Sequence, residues 1–195
     1  MKRRSFLQLG VAGVGALALN KNSQALEYYP KKSDKKIAII YSTWCGSTRD
    51  AAVWISEGMA GIADVFDVRE KTNIKNYEHF IIGGAIRSFA TSPELQDFIK
   101  QNKATIKGKV RGLFAICGNM GNPITPELVT RYIDEHLAQL CEVTEKVPSN
   151  VLRGRITKSL MEPENAQMMA SFEDYDNLKR PECMALGKKI LDSIK

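Results

Sequence analysis

The sequence predicts an α/β fold in which a doubly wound parallel sheet is covered by helices on both faces. Three observations lead there. Short apolar runs suited to strands buried on both faces alternate with segments whose apolar residues recur at helical spacing. Those runs end in polar or glycine-rich turns, as strands feeding crossover helices do. The length of 195 residues, 44% of them hydrophobic, allows one such domain with a sizeable core and is too short for two ordinary ones.

The first 25 residues read as a targeting segment. They combine a charged start, an apolar stretch from Phe6 to Leu19 and a small-residue site at Ser23-Gln24-Ala25. The stretch is short for a transmembrane helix and is interrupted by Gly10, Gly13 and Gly15. Arg3-Arg4-Ser5-Phe6-Leu7 resembles the twin-arginine pattern, with Gln8 where a lysine often follows. An ordinary secretory signal or an uncleaved anchor is the other reading. The twin-arginine resemblance implies that the twin-arginine export machinery carries the chain, already folded and with any cofactor loaded, to a periplasmic or other extracytoplasmic location.

Charge follows the same division. The formal charge is +6, but Lys2, Arg3, Arg4 and Lys21 precede Ala25 and no acid does. Without those four the chain keeps 24 basic residues against 22 acidic ones, a net charge near +2. The remaining basic residues are scattered among acids, which excludes a nucleic-acid surface. No stable transmembrane segment is expected in the mature chain.

Residues 26–35 are charged, carry Pro30 and read as a linker, leaving 36–195 as the folded domain. Lys36 to Tyr41 predicts a buried central strand, and Thr48 to Met59 a helix with Ala52, Ile55 and Met59 on one face. A second strand fits Ala63 to Val68, and a third fits His79 to Ile82, running into Gly83-Gly84. Thr91-Ser92-Pro93-Glu94 opens a helix with cap residues and a proline at its first turn. Val110 to Cys117 predicts the fourth strand. Thr125-Pro126-Glu127 starts a helix with Val129, Ile133, Leu137 and Leu140 on one face. Asn150 to Ile156 is a weaker fifth strand. Pro181 to Ile194 is the last helix, with Cys183, Gly187, Ile190 and Ile194 on one side. The long connection from Lys158 to Lys179 reads either as a functional lid or docking element or as a plain surface excursion.

Chemistry-bearing side chains are few. Cys45, Cys117, Cys141 and Cys183 show no metal-type pairing, and packing suits Cys117 and Cys183. His79 starts a strand and His136 lies on a helix, both in structural settings. No catalytic triad, acid–base set or metal cluster is expected.

The informative segment is the loop after the first strand, Ser42-Thr43-Trp44-Cys45-Gly46-Ser47-Thr48. In an open α/β sheet, ligands bind at the carboxyl ends of strands where the strand order reverses. Hydroxyls of Ser42, Thr43, Ser47 and Thr48 can donate to phosphate oxygens, Gly46 allows close backbone approach, and the next helix aims its N-terminal amides at the anion. The loop lacks the lysine of a triphosphate-binding motif and any dinucleotide glycine signature, so a monophosphate fits better. Read alone, the loop is equally a helix cap with extra hydroxyls.

Thr43-x-x-Gly46-x-Thr48 resembles the T-x-T-G-x-T pattern of flavodoxins, with Cys45 where a threonine is usual. Tyr41 to Thr48, together with Ile82-Gly83-Gly84-Ala85-Ile86-Arg87, is similar to the flavodoxin-like family that includes menaquinone-dependent protoporphyrinogen oxidase. The resemblance runs from about Lys36 onward and is loose after Lys100. It implies five strands in the order 2-1-3-4-5 and bound FMN, with the phosphate in the first loop.

The same resemblance places Ala85, Ile86, Arg87 and Ser88 along the ring's redox edge. Arg87 would stabilise charge on the reduced flavin or else pair with a surface acid. Trp44 and Phe89 would stack on the ring or simply pack. Gly118-Asn119-Met120-Gly121 would form the opposite wall, with Asn119 bonding the pyrimidine edge and Met120 packing on the ring.

The readings that follow are an electron carrier serving a redox partner protein, a quinone- or small-molecule-linked flavin oxidoreductase, and a flavodoxin-like binding module without FMN. The near-neutral mature chain departs from the strong acidity of ordinary flavodoxins, which points to different partners.

Overall fold

The computed structural model describes residues 30–118 and 122–194. The targeting segment predicted for residues 1–25 and most of the 26–35 linker lie outside them.

Five parallel strands form the sheet: β1 (Ile37–Ser42), β2 (Asp64–Asp67), β3 (His79–Arg87), β4 (Val110–Cys117) and β5 (Ser149–Arg153). Their order is β2-β1-β3-β4-β5, as expected. Successive strand residues point to opposite faces, so every strand feeds two cores. Ala38, Ile40, Phe80, Ile82, Leu113 and Ala115 face one core, with Leu95, Ile99, Ile133 and Leu137 from covering helices. Ile37, Ile39, Ile81, Phe114 and Ile116 face the other, against Ala51, Ala52, Ile55, Cys183, Leu186 and Ile190. This double burial explains why β1 reads as a continuous apolar run.

The longer helices are α1 (Ser47–Gly58), α2 (Pro93–Gln101), α3 (Pro126–Val129, continuing with π-type winding over Thr130–Ala138) and α4 (Arg180–Ser193), with short helical turns at Lys103–Ile106 and Pro163–Met168. Helices α1 and α4 lie close enough that their glycines interlock. A Cβ on Gly58 would fall 2.1 Å from the Met184 carbonyl oxygen, and one on Gly187 would fall 2.0 Å from that of Ile55. Ser92 caps α2 by accepting from the Leu95 amide at 3.4 Å, ahead of Pro93.

Three elements depart from the sequence reading. Strand β3 does not stop at Ile82 but continues to Arg87, because Gly83 to Ala85 still pair with β1 and β4, and Ile86 and Arg87 pair antiparallel with Ala90–Thr91. Gly83 is required there by packing, since a Cβ would meet the Phe114 ring at 2.2 Å. The wider turn of the π segment buries Tyr132 beside Ile133 and Leu137, while Val129 and Leu140 are only partly buried. The fifth strand ends at Arg153. After Gly154 the chain leaves the sheet, and Arg155–Ile156 pairs antiparallel with Tyr175–Asp176, closing off an excursion over residues 157–174.

Candidate functional site

Between β1 and β3 the chain reverses its direction across the sheet, and the carboxyl ends of these strands open a crevice. A cavity of about 480 Å³ lies there, lined mainly by apolar atoms. Its walls come from the β1–α1 loop, the end of β3, Gly118 after β4, and the excursion after β5. Two more polar hollows, of about 420 and 360 Å³, sit at the opposite, amino end of the strands, around Lys36 and Pro148.

The β1–α1 loop is built by its own hydroxyls. Thr43 Oγ1 accepts from the Gly46 amide at 3.1 Å, and Gly46 takes a left-handed φ of 80° that glycine alone adopts freely. Ser42 Oγ accepts from Ser92 Oγ at 2.9 Å, behind the cavity. Ser47 Oγ accepts from the Arg155 amide at 3.0 Å. These hydroxyls act as acceptors and so keep a proton to donate. The Thr48 hydroxyl is fully buried on the cavity wall and has no partner. Burying a hydroxyl unpaired costs about 1–3 kcal/mol, a cost that an acceptor in the cavity would remove. The first amides of α1 also lack intrahelical acceptors, so the loop fits an anion of phosphate size.

Cys45 does not stand in for the expected threonine. Its Sγ donates to the Arg155 carbonyl at 3.1 Å. The Arg155 guanidinium pairs with Asp50 in the first turn of α1, and Arg49 holds the other carboxylate oxygen at 3.0 Å. Both guanidiniums converge on Gly46, where a Cβ would lie 3.3 Å from Arg49 Nη2 and 3.6 Å from Arg155 Nη2.

On the β3 side, Ala85, Ile86, Arg87 and Ser88 line the cavity. Arg87 lies with its Cζ 3.5 Å from the centroid of the Trp44 ring, a cation–π stack. Burial pulls the Arg87 guanidinium down to about 10, partly countered by Glu94. Ser88 and Phe89 turn the chain with positive φ values of 46° and 70°. Phe89 is 67% exposed and lies outside the cavity lining, with Arg131 over its ring at 5.4 Å. The next residue but one, Thr91, donates its amide to His136 Nε2 at 3.0 Å, which anchors the turn to α3.

Opposite, Gly118 lines the cavity and its carbonyl accepts from Tyr175 Oη at 2.9 Å. Asn119, Met120 and Gly121 lie outside the described residues. The structure thus gathers Thr43, Trp44, Cys45, Ser47, Thr48, Ala85, Ile86, Arg87, Ser88 and Gly118 around one space. Gly46 stands beside it, while Ser42 and Phe89 do not line it.

From sequence alone, Lys158 to Lys179 is open between a functional lid or docking element and a plain surface excursion, and Arg155 and Ile156 are not singled out. Arg155, Ile156, Met161, Met168, Met169, Phe172 and Tyr175 all line the cavity. The length of that connection points to the segment, and the rule that sites gather at strand carboxyl ends points to Arg155 and Ile156. Among the described residues, no cluster of side chains could hold a metal ion, and no helix is long and apolar enough to cross a membrane.

A family model described as Flavodoxin domain matches residues 38–177. No curated protein matches the chain. Among solved structures, oxidised flavodoxin 1 from Bacillus cereus is 15% identical with a TM-score of 0.54, covering 83% of this chain and 100% of that one. The two-electron reduced flavodoxin of Megasphaera elsdenii is 21% identical with a TM-score of 0.52, covering 80% of this chain and 98% of that one. A flavodiiron core from Synechocystis is 17% identical with a TM-score of 0.51 over 81% of this chain, which spans only 35% of that protein. At such identities the likeness carries the fold.

Proposed function

This chain belongs to the flavodoxin domain family, and on that premise we propose that it is an exported FMN protein that transfers electrons. The observation that carries the reading is the fully buried, unpartnered Thr48 hydroxyl in a hydroxyl- and amide-lined loop beside the apolar cavity. Thr43, Ser47, Thr48 and the first amides of α1 would hold the phosphate, and residues 85–88 would meet the ring. Bound FMN supplies the electron-transfer chemistry, and the protein orients it and sets its potential. The stacked, desolvated Arg87 places positive charge at the β3 wall, where it favours an anionic ligand. Purification from the export compartment should give a yellow protein that releases FMN, identified by mass. A colourless protein that takes up no added FMN would be a binding module instead.

Met161, Met168, Met169 and Phe172 favour a second reading. This flexible apolar wall suits a small aromatic or quinone acceptor, as in a flavin oxidoreductase of the protoporphyrinogen oxidase type. Steady turnover with a quinone and a reductant, without a protein partner, would select it. Export rests on Arg3-Arg4. Replacing both with lysine should leave the chain in the cytoplasm, whereas unchanged export would point to another route.

A further inference from the structure

We propose that Arg155 is a cationic ligand for the phosphate monoester of the cofactor and sets the preference for FMN over riboflavin. The proposal rests on the flavin reading above and adds to it a residue outside the hydroxyl loop. Three features of Arg155 support it. Its main chain is tied to the loop at both ends, the amide donating to Ser47 Oγ at 3.0 Å and the carbonyl accepting from Cys45 Sγ at 3.1 Å. Its guanidinium hangs over Gly46, where the α1 amides begin. Its Nε is buried and unpartnered, and both it and the Thr48 hydroxyl belong to residues lining the cavity.

Charge adds a fourth. Asp50 in the first turn of α1 would repel an anion at that helix terminus. Two guanidiniums answer this one carboxylate, Arg49 on one oxygen and Arg155 on the other. Asp176 also reaches Arg155, at 3.8 Å from Nη1, but it is 54% exposed and its charge is screened by water, so positive charge still prevails beside Gly46. Arg49 is 56% exposed and screened by water, whereas the Arg155 side chain is 16% exposed. The less hydrated charge dominates. It also compensates position 45, where the loop has a thiol turned toward Arg155 in place of a hydroxyl donor.

The full chain, freed of flavin, is titrated with FMN and with riboflavin, following quenching of flavin fluorescence. Arg155→Gln should weaken FMN by about tenfold to a hundredfold, the effect of losing one charged hydrogen bond, and leave riboflavin unchanged. Unchanged riboflavin binding also reports that the variant is folded. Arg155→Lys should recover much of the FMN preference. An Arg155→Gln protein with the wild-type FMN-to-riboflavin ratio, or with both flavins weakened equally, overturns the proposal. A wild type that binds neither flavin overturns the flavin reading instead. Inorganic phosphate at constant ionic strength then isolates Arg155. A melting temperature raised in wild type but not in Arg155→Gln supports its anion role, and equal responses overturn it.

Discussion

On the proposed FMN reading, Thr48 is a side chain that is poor for folding and good for binding. Its hydroxyl is fully buried without a partner, so the flavin-free protein carries an unpaired polar group. Thr48→Val replaces the hydroxyl with a methyl of similar shape. It should stabilise the flavin-free protein by about 1 kcal/mol while weakening FMN about tenfold, two effects of opposite sign from one change. Urea unfolding and flavin titration measure them separately. A valine variant less stable than wild type would mean that the hydroxyl is bonded inside the protein. Cys45 needs different treatment, because its Sγ already serves the Arg155 carbonyl. A threonine there would have to replace that contact before it could offer anything to a ligand.

Among the elements, close packing and one histidine decide which contacts matter. Gly58 and Gly187 face backbone atoms at 2.1 and 2.0 Å from a hypothetical Cβ, so an alanine at either must push α1 and α4 apart. At Gly108 an added Cβ meets nothing, and only the positive φ of 74° opposes it. Gly58→Ala should therefore cost about 1–3 kcal/mol or more and exceed Gly108→Ala, measured by urea midpoints. A smaller loss for Gly58→Ala would mean that the helices separate freely. His136 joins α3 to the turn after β3 by accepting from the Thr91 amide, and burial lowers its pKa below the ordinary 6.5. Its contribution is complete above the unfolded value of about 6.5 and is lost as pH falls below that. The melting temperature should fall between pH 7.5 and 5.5, and less so in His136→Gln. The slope left in the variant belongs to His79, which is lowered by burial and Arg111. An unchanged slope would exclude His136. The strands and helix faces were legible because burial on two faces writes itself as apolar runs and helical stripes. The π winding of α3, the extension of β3 to Arg87 and the role of Arg155 were not. They depend on contacts such as Arg155 with Asp50, 105 positions apart, that no local pattern encodes.

At the scale of the whole molecule, the four thiols report how the fold opens. Cys45, Cys117, Cys141 and Cys183 are all free and buried. Burial pushes Cys141 and Cys183 up to about 12, so near pH 8 neither holds appreciable thiolate, and both must be exposed before they react. Cys183 lies in the interlocked α1–α4 pair and Cys141 just beyond α3, whereas Cys45 sits in a surface loop held by a few hydrogen bonds. Local opening of such a loop needs less free energy than opening the core. A thiol-alkylating reagent at pH 8 should therefore modify Cys45 first and Cys141 and Cys183 only at the rate of global unfolding, with sites and rates read by peptide mass. FMN or inorganic phosphate, by closing the loop around an anion, should slow Cys45 and leave the pattern of the other three unchanged. If Cys183 reacted first, α4 would be the weak element. If all four reacted together, the loop from Ser42 to Thr48 would open only with the rest of the molecule, and release of the proposed FMN would be as slow as unfolding.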